Sequence, residues 1–178
     1  MCRRAFTAAV FVYLTSANLC FAGQPANREP RRVPVRVIDG TTIVGHSDPV
    51  VWKTVLDLLP VRPRRVELLD LDSVSDDARR RVRGLDAFVL AGQTTVVVIR
   101  QSATLRRAET GDAIDRLALA SLIWHELAHA DGLDERAGLE REQELWRTFI
   151  ARGLVDAGIG MAYITLLGDA GSQVRALR

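Results

Sequence analysis

Apolar positions in the region after residue 34 either alternate with polar ones or form short runs, which is the pattern of β-strands separated by turns and short helices. The stretch 94–100 is the strongest strand signal, because β-branched residues fill most of it. Ser47-Asp48-Pro49 indicates a helix start, since Asp48 can cap the helix and proline is tolerated at its first position. The predicted elements are a strand at 35–37, a helix from 49 to about 59, a strand at 66–71, a charged helix or turn at 75–83, and a hairpin with strands at 87–91 and 94–100.

From about Asp112 onward the pattern is wholly helical. The first of these helices spans 112–131 and ends at Gly132, a residue suited to the left-handed conformation that closes helices. A second helix begins with Asp134 as its cap and ends near Gly153, and a third covers roughly 156–167. Strands mixed with helices and then followed by helices predict an α+β fold, with a small mixed sheet packed on a buried helix.

The N-terminal 22 residues have the layout of a secretory signal peptide: a basic start, an apolar stretch and a small-residue end at Ala22. This stretch is too short and too interrupted for a comfortable membrane span. We therefore expect an exported protein, periplasmic or secreted, with a signal peptide at 1–22, a linker at 23–34 and one domain at 35–178. An uncleaved N-terminal anchor is the alternative.

The excess positive charge and both cysteines of the chain lie in the signal-like segment. The chain has 24 Lys and Arg against 22 Asp and Glu, and Arg3 and Arg4 lie in the signal-like segment, so its removal leaves equal numbers. Cys2 and Cys20 lie there too, so the mature chain would have no thiol for disulfides, catalysis or metal binding. The arginines at 79–83 follow two aspartates and do not alternate with aromatic residues, so we expect a solvated helix face and no nucleic-acid partner.

The chemistry lies in Trp124-His125-Glu126-Leu127-Ala128-His129, which contains the pattern H-E-x-x-H. Four residues are close to one helical turn, so His125 and His129 project from one face and can hold one metal ion. Imidazole suits zinc, and Glu126 is placed to take a proton from a water that zinc acidifies. The surrounding helix is apolar on all sides and therefore predicted to be buried, where uncompensated histidines would cost stability.

These residues resemble the zincin metallopeptidases. The lack of H-x-x-G-x-x-H after the motif argues against the metzincin branch, and the better resemblance is to the gluzincins, in which a later helix supplies a glutamate ligand. The resemblance covers only about residues 125–149 and implies a minimal zincin-like fold, a Zn²⁺ cofactor and a peptide or protein substrate.

The resemblance implies a third ligand from the next helix, which offers Glu135, Glu140, Glu142 and Glu144. Glu142 projects into the apolar stripe of that helix, whereas Glu140 and Glu144 share a face with arginines. At about 1.5 Å rise per residue, positions 140–142 lie level with the histidines on a returning helix. We therefore expect Glu142 to be the third ligand, with Glu140 as the alternative.

Other roles depend on the resemblance. In zincins an edge strand pairs with the extended substrate, and 94–100 could be that strand, although its apolar run fits an interior strand equally well. Tyr163 or His46 could stabilise the oxyanion, but Tyr163 is more often packed in a core and His46 more often a loop residue. The expected function is a zinc metallopeptidase. The alternatives are an inactive zinc-binding module of zincin ancestry and a structural envelope protein with an accidental motif.

Overall fold

A mixed five-stranded sheet forms the centre of the computed structural model, which describes residues 33–90 and 92–176, with side chains as far as Asp169. The strand order is β1-β2-β3-β5-β4. The strands are β1 (Val35–Ile38), β2 (Thr41–Val44), β3 (Arg65–Leu69), β4 (Ala87–Val89) and β5 (Thr95–Ile99). Strands β2, β3 and β5 are parallel to one another, whereas β1 and β4 pair antiparallel at the two edges.

Six α-helices accompany this sheet within the described residues, and together they confirm the α+β class. The helices are α1 (Pro49–Asp57), α2 (Asp76–Arg81), α3 (Ala103–Thr110), α4 (Ala113–Ala130), α5 (Glu135–Ala151) and α6 (Ala157–Ala176). The predicted caps of α1 and α5 are present: Asp48 accepts a hydrogen bond from the Val50 amide, and Asp134 accepts one from the Ala137 amide. The third helix of the C-terminal half extends beyond the predicted end at 167.

Two elements were not predicted. Strand β2 follows a two-residue turn at Asp39 and Gly40, which both have positive φ (47° and 87°), as a tight hairpin requires. Helix α3 begins at Ser102, whose hydroxyl caps the Leu105 amide. Strand 94–100 is interior, because β5 lies between β3 and β4, so β4 is the edge strand on that side.

The hydrophobic core lies between one face of the sheet and the helices. Helix α4 contacts α1, α3 and α5 as well as strands β4 and β5, so it is buried as predicted. The opposite face of the sheet carries a smaller apolar cluster of Val82, Phe88, Val97 and Ile99. The burial of α4 places the H-E-x-x-H residues inside the molecule, where every polar atom needs a partner.

The proposed signal peptide and nearly all of the proposed linker lie outside the described residues. Among the residues that the structure describes, no helix has both the length and the apolar character needed to cross a membrane.

Candidate metal centre

His125 and His129 face each other across one turn of α4. Their Nε2 atoms are 3.1 Å apart, and the ring planes meet at 66°. The His125 residue is 6% exposed, and the His129 side chain is 7% exposed. The prediction that these two imidazoles share one helix face is therefore confirmed.

The contacts of the two Nδ1 atoms indicate which nitrogen of each neutral imidazole carries the proton. His129 Nδ1 lies 2.9 Å from the Leu133 carbonyl oxygen, which can only accept, so Nδ1 is the donor. His125 Nδ1 lies 3.2 Å from Glu142 Oε2 in a contact that is not aligned as a hydrogen bond, and the nearby carboxyl group favours a proton on Nδ1. In the neutral state both rings therefore present an Nε2 lone pair to the same point, and two facing lone pairs require a cation or a proton between them.

Glu135 is the carboxylate that completes this cluster. Its Oε2 atom lies 3.5 Å from His125 Nε2 and 3.4 Å from His129 Nε2. Glu135 is the first residue of α5, and Gly132, with φ of 81°, lies in the turn that reverses the chain between α4 and α5. His125, His129 and Glu135 thus form a three-residue group that could hold a metal ion.

The expected third ligand, Glu142, does not lie at this point. Its side chain is largely buried, as its place in the apolar stripe predicted, but it contacts Nδ1 of His125 and not the Nε2 side. The alternative, Glu140, is exposed and pairs with Arg136 at 2.7 Å on the solvated face of α5. Level matching along two straight helices does not account for the tight turn, which brings the very start of α5 back to the histidines.

A spacing signal could have identified Glu135. The chain reads His125-Glu126-x-x-His129-x-x-Gly132-x-x-Glu135. This follows H-x-x-G-x-x-H at every fixed position except the last, where glutamate replaces histidine. The glycine that closes α4 is therefore also part of a ligand spacing, in which glutamate takes the place of the last histidine.

Glu126 lies beside this group and is 4% exposed. Its Oε2 atom is buried without a hydrogen-bond partner among the described residues. Burial raises the pKa of Glu126 to about 7, although the neighbouring His125 and His129 oppose the rise. A carboxylate with a pKa near neutrality can both accept and return a proton.

His125 and Glu135, whose pKa values are also shifted, form a charge pair in the metal-free protein. Burial opposes the charge on His125, but Glu135 and Glu142 raise its pKa to about 10. Burial also opposes ionisation of Glu135, but the adjacent imidazoles of His125 and His129 lower its pKa to about 2. The metal-free site therefore holds a protonated imidazole against an ionised carboxylate.

Gly138 brings α5 against the His125 ring. A Cβ atom at this position would lie 2.9 Å from both Cε1 and Nε2 of His125. Only a residue without a side chain fits this close approach. The absence of a side chain at 138 therefore helps to define the orientation of the imidazole.

The donor set fits a tetrahedral metal ion. Ligands about 2.0 to 2.1 Å from a zinc ion at tetrahedral angles are roughly 3.3 to 3.4 Å from one another. The three donor atoms here are 3.1, 3.4 and 3.5 Å apart. Glu135 Oε2 is buried without a well-aligned hydrogen bond, which is the condition of an atom that a cation would satisfy.

The other predicted residues lie in different surroundings. Tyr163 stacks on Trp146 with the ring centroids 4.2 Å apart, which agrees with the packing interpretation. His46 is exposed and lines a shallow surface cavity with Ser47, Asp48, Arg100 and Glu109. A second cavity lies between α2, β5 and α3, and neither cavity is lined by the metal-cluster residues.

Comparison with known proteins adds no assignment: no family model matches the chain, and neither the curated proteins nor the solved structures include a similar one.

Proposed function

We propose that this protein is a zinc-dependent metallopeptidase. The observation that carries the proposal is the convergence of His125 Nε2, His129 Nε2 and Glu135 Oε2 at tetrahedral ligand spacing. Beside them lies Glu126, whose buried Oε2 atom has no hydrogen-bond partner among the described residues. Two imidazoles, one carboxylate and a free glutamate are the donor set and base of zinc hydrolases. A soft metal is disfavoured because the cluster contains no sulfur ligand.

When bound, zinc would lower the pKa of a water molecule and polarise the carbonyl of the scissile bond. Glu126 then accepts a proton from the attacking water at its Oε2 atom and transfers it to the leaving amine. The raised pKa suits both steps, since the carboxyl group can exist in either protonation state near neutral pH. The Leu133 carbonyl and Glu142 hold the Nδ1 protons and keep both Nε2 atoms directed at the ion.

The edge strand β4 offers a binding place for an extended peptide. Phe88 pairs with Val97, and Ile99 donates to the Asp86 carbonyl, so Ala87 and Val89 direct their backbone groups away from β5. Helix α4 packs against this strand, which brings the free edge close to the helix that carries the motif. We propose β4 in place of β5 as the strand that the substrate joins, through main-chain hydrogen bonds.

The test is cleavage of a diverse peptide library by zinc-loaded wild type and by Glu126→Gln. We expect the variant to keep one zinc ion per chain and to lose at least about a hundredfold in cleavage rate, since a general base typically contributes 10²–10⁴-fold. Glu140→Gln is the matched control, because its carboxylate is exposed and away from the cluster. Identical digests from wild type and Glu126→Gln would remove the peptidase assignment.

One observation favours a second candidate, a zinc-binding domain that cleaves nothing. His125, Glu126 and Glu135 are each at most 9% exposed, as is common where a metal stabilises a fold. In that case zinc removal unfolds the domain, whereas no peptide is cut by the loaded protein. Measuring cleavage and zinc-dependent stability on the same preparation separates the two candidates.

A further inference from the structure

Glu142 bridges two helices in the core. Its Oε2 atom lies 3.2 Å from His125 Nδ1, and its Oε1 atom accepts a hydrogen bond of 3.1 Å from the Ser121 hydroxyl. The Glu142 side chain is 13% exposed, so little water competes for it. A carboxylate in the core is stabilised only if partners such as these satisfy its oxygens.

Ser121 in turn accepts a hydrogen bond from Trp146. The indole Nε1 of Trp146 is 3.1 Å from Ser121 Oγ, and Trp146 is completely buried. With its lone pair engaged by the indole, the Ser121 hydroxyl directs its proton to an acceptor. The Ala118 carbonyl and the Glu142 side chain both lie 3.1 Å away, and of these two acceptors only Glu142 joins Ser121 to the next helix.

We propose that Trp146, Ser121 and Glu142 form a positioning relay that aligns His125 for the metal ion. The relay acts on Nδ1, so it holds the proton on that nitrogen and leaves Nε2 as the ligand. It rests on the proposed zinc site and assigns Glu142 a role outside the metal's coordination sphere. The Nδ1 atom of His129 lies instead beside a backbone carbonyl, that of Leu133.

The relay also links the metal site to α6. Trp146 stacks on Tyr163 of α6 at an interplanar angle of 14°, so the indole that starts the relay is held between two helices. His125 is therefore positioned by residues of three helices, of which only α4 supplies the imidazole. Carboxylates and hydroxyls in this position typically contribute a factor of roughly 10 to 100 in metal affinity.

The experiment measures Zn²⁺ affinity by chelator competition and the visible absorption spectrum of the Co²⁺-substituted full-length chain. Three variants are compared: Glu142→Gln, Ser121→Ala and the control Glu140→Gln, a glutamate on the exposed face of the same helix. We expect Glu142→Gln to bind one ion per chain about 10- to 100-fold more weakly, with a shifted Co²⁺ spectrum. Ser121→Ala weakens binding less, and Glu140→Gln matches wild type in affinity and spectrum.

Unchanged affinity and spectrum in Glu142→Gln would overturn the relay. So would loss of stoichiometric binding in Glu142→Gln together with its retention in Glu135→Gln, because Glu142 would then be a ligand. If Glu142→Gln does not fold, Ser121→Ala decides alone, and wild-type affinity in that variant overturns the relay. Wild-type protein that binds no zinc overturns the proposed function as well, whereas a library digest that fails leaves the relay standing on the affinities.

Discussion

Each imidazole of the metal cluster uses its two nitrogens for different tasks. The Nδ1 atoms face an acceptor, the Leu133 carbonyl for His129 and Glu142 for His125, and the Nε2 atoms converge 3.1 Å apart. This division favours the neutral tautomer in which Nε2 is available to a metal ion, so binding does not have to turn the rings. Gly138 adds a steric limit, because a Cβ atom at this position of α5 would lie 2.9 Å from Nε2 of His125.

Substitution of Gly138 with alanine tests that limit. The new Cβ would lie 2.9 Å from His125 Nε2, so either the ring or α5 has to shift, and we expect zinc affinity to fall by at least about tenfold. The matched control is Gly168→Ala, whose Cβ would meet only Gln143 Nε2 at an ordinary 3.7 Å. Chelator competition measures both, and equal affinities in the two variants would contradict the steric role.

For single residues, the sequence predicts those whose spacing along a helix is enough to fix their relative positions. His125, Glu126 and His129 follow from a four-residue interval on a helix, and burial of Glu142 follows from its place in an apolar stripe. The task of Glu142 could not be predicted, because a buried carboxylate satisfies either a metal or an imidazole proton, and only distances separate the two. Glu135 was missed because its position depends on the turn and not on the helix it begins.

At the scale of elements, the site belongs to the antiparallel pair α4 and α5 and the short turn between them. Gly132 adopts φ of 81° in that turn, and its amide donates a hydrogen bond of 2.9 Å to the His129 carbonyl. The Leu133 amide donates to the Ala128 carbonyl, which closes the end of α4. The turn thus ends one helix and directs the first residue of the next towards the histidines.

The Gly132→Ala variant distinguishes two effects of the turn, its backbone strain and its placement of Glu135. No atom lies within 4 Å of the added Cβ, so the cost comes from the backbone and should be about 1 kcal/mol in the free energy of unfolding. Gly153→Ala is the control, since Gly153 has φ of 66° and equally open surroundings at the end of α5. Both variants should lose similar stability without metal in denaturant titrations.

Of the two turns, at Gly132 and at Gly153, only the one before Glu135 should affect zinc binding. We expect Gly132→Ala to weaken zinc affinity and Gly153→Ala to leave it unchanged, because the second turn carries no residue of the cluster. A loss of the same size in both variants would show that general destabilisation, and not placement of Glu135, controls affinity.

At the scale of the whole molecule, a group of ionisable side chains occupies a core that is otherwise apolar. Their pKa values move in opposite directions: those of His125 and Glu126 rise to about 10 and about 7, and that of Glu135 falls to about 2. Folding therefore favours a protonated His125, a protonated Glu126 and an ionised Glu135. Such a core makes the stability of the metal-free protein depend on pH.

The direction of each pKa shift gives the direction in which that group changes stability with pH. Stability from His125 is complete below its ordinary pKa of 6.5 and is lost as the pH rises through about 10. Stability from protonated Glu126 is lost as the pH rises from 4.5 through about 7, whereas that from Glu135 is lost as the pH falls from 4.5 through about 2. We expect the metal-free protein to be most stable near pH 4.5 and to become less stable towards pH 10.

Zinc should reverse this trend, because it displaces the proton of His125 and so binds more tightly as the pH rises. Thermal unfolding with a chelator and with one equivalent of Zn²⁺, measured between about pH 6 and 9, checks both parts. The zinc-induced increase in Tm should grow with pH. A constant increase over this range would show that His125 is already neutral in the metal-free protein.

The three candidate ligands occupy one continuous segment, residues 125–135, and this has a consequence for how a metal ion would be acquired. Closing so short a loop costs little chain entropy, whereas the parallel strands must join positions as distant as Arg65 and Thr95. Three ligands can therefore gather as soon as α4 and α5 meet, before the sheet is complete. A metal ion present during folding would stabilise that helical hairpin first, and the rest of the core would form around a site that is already loaded.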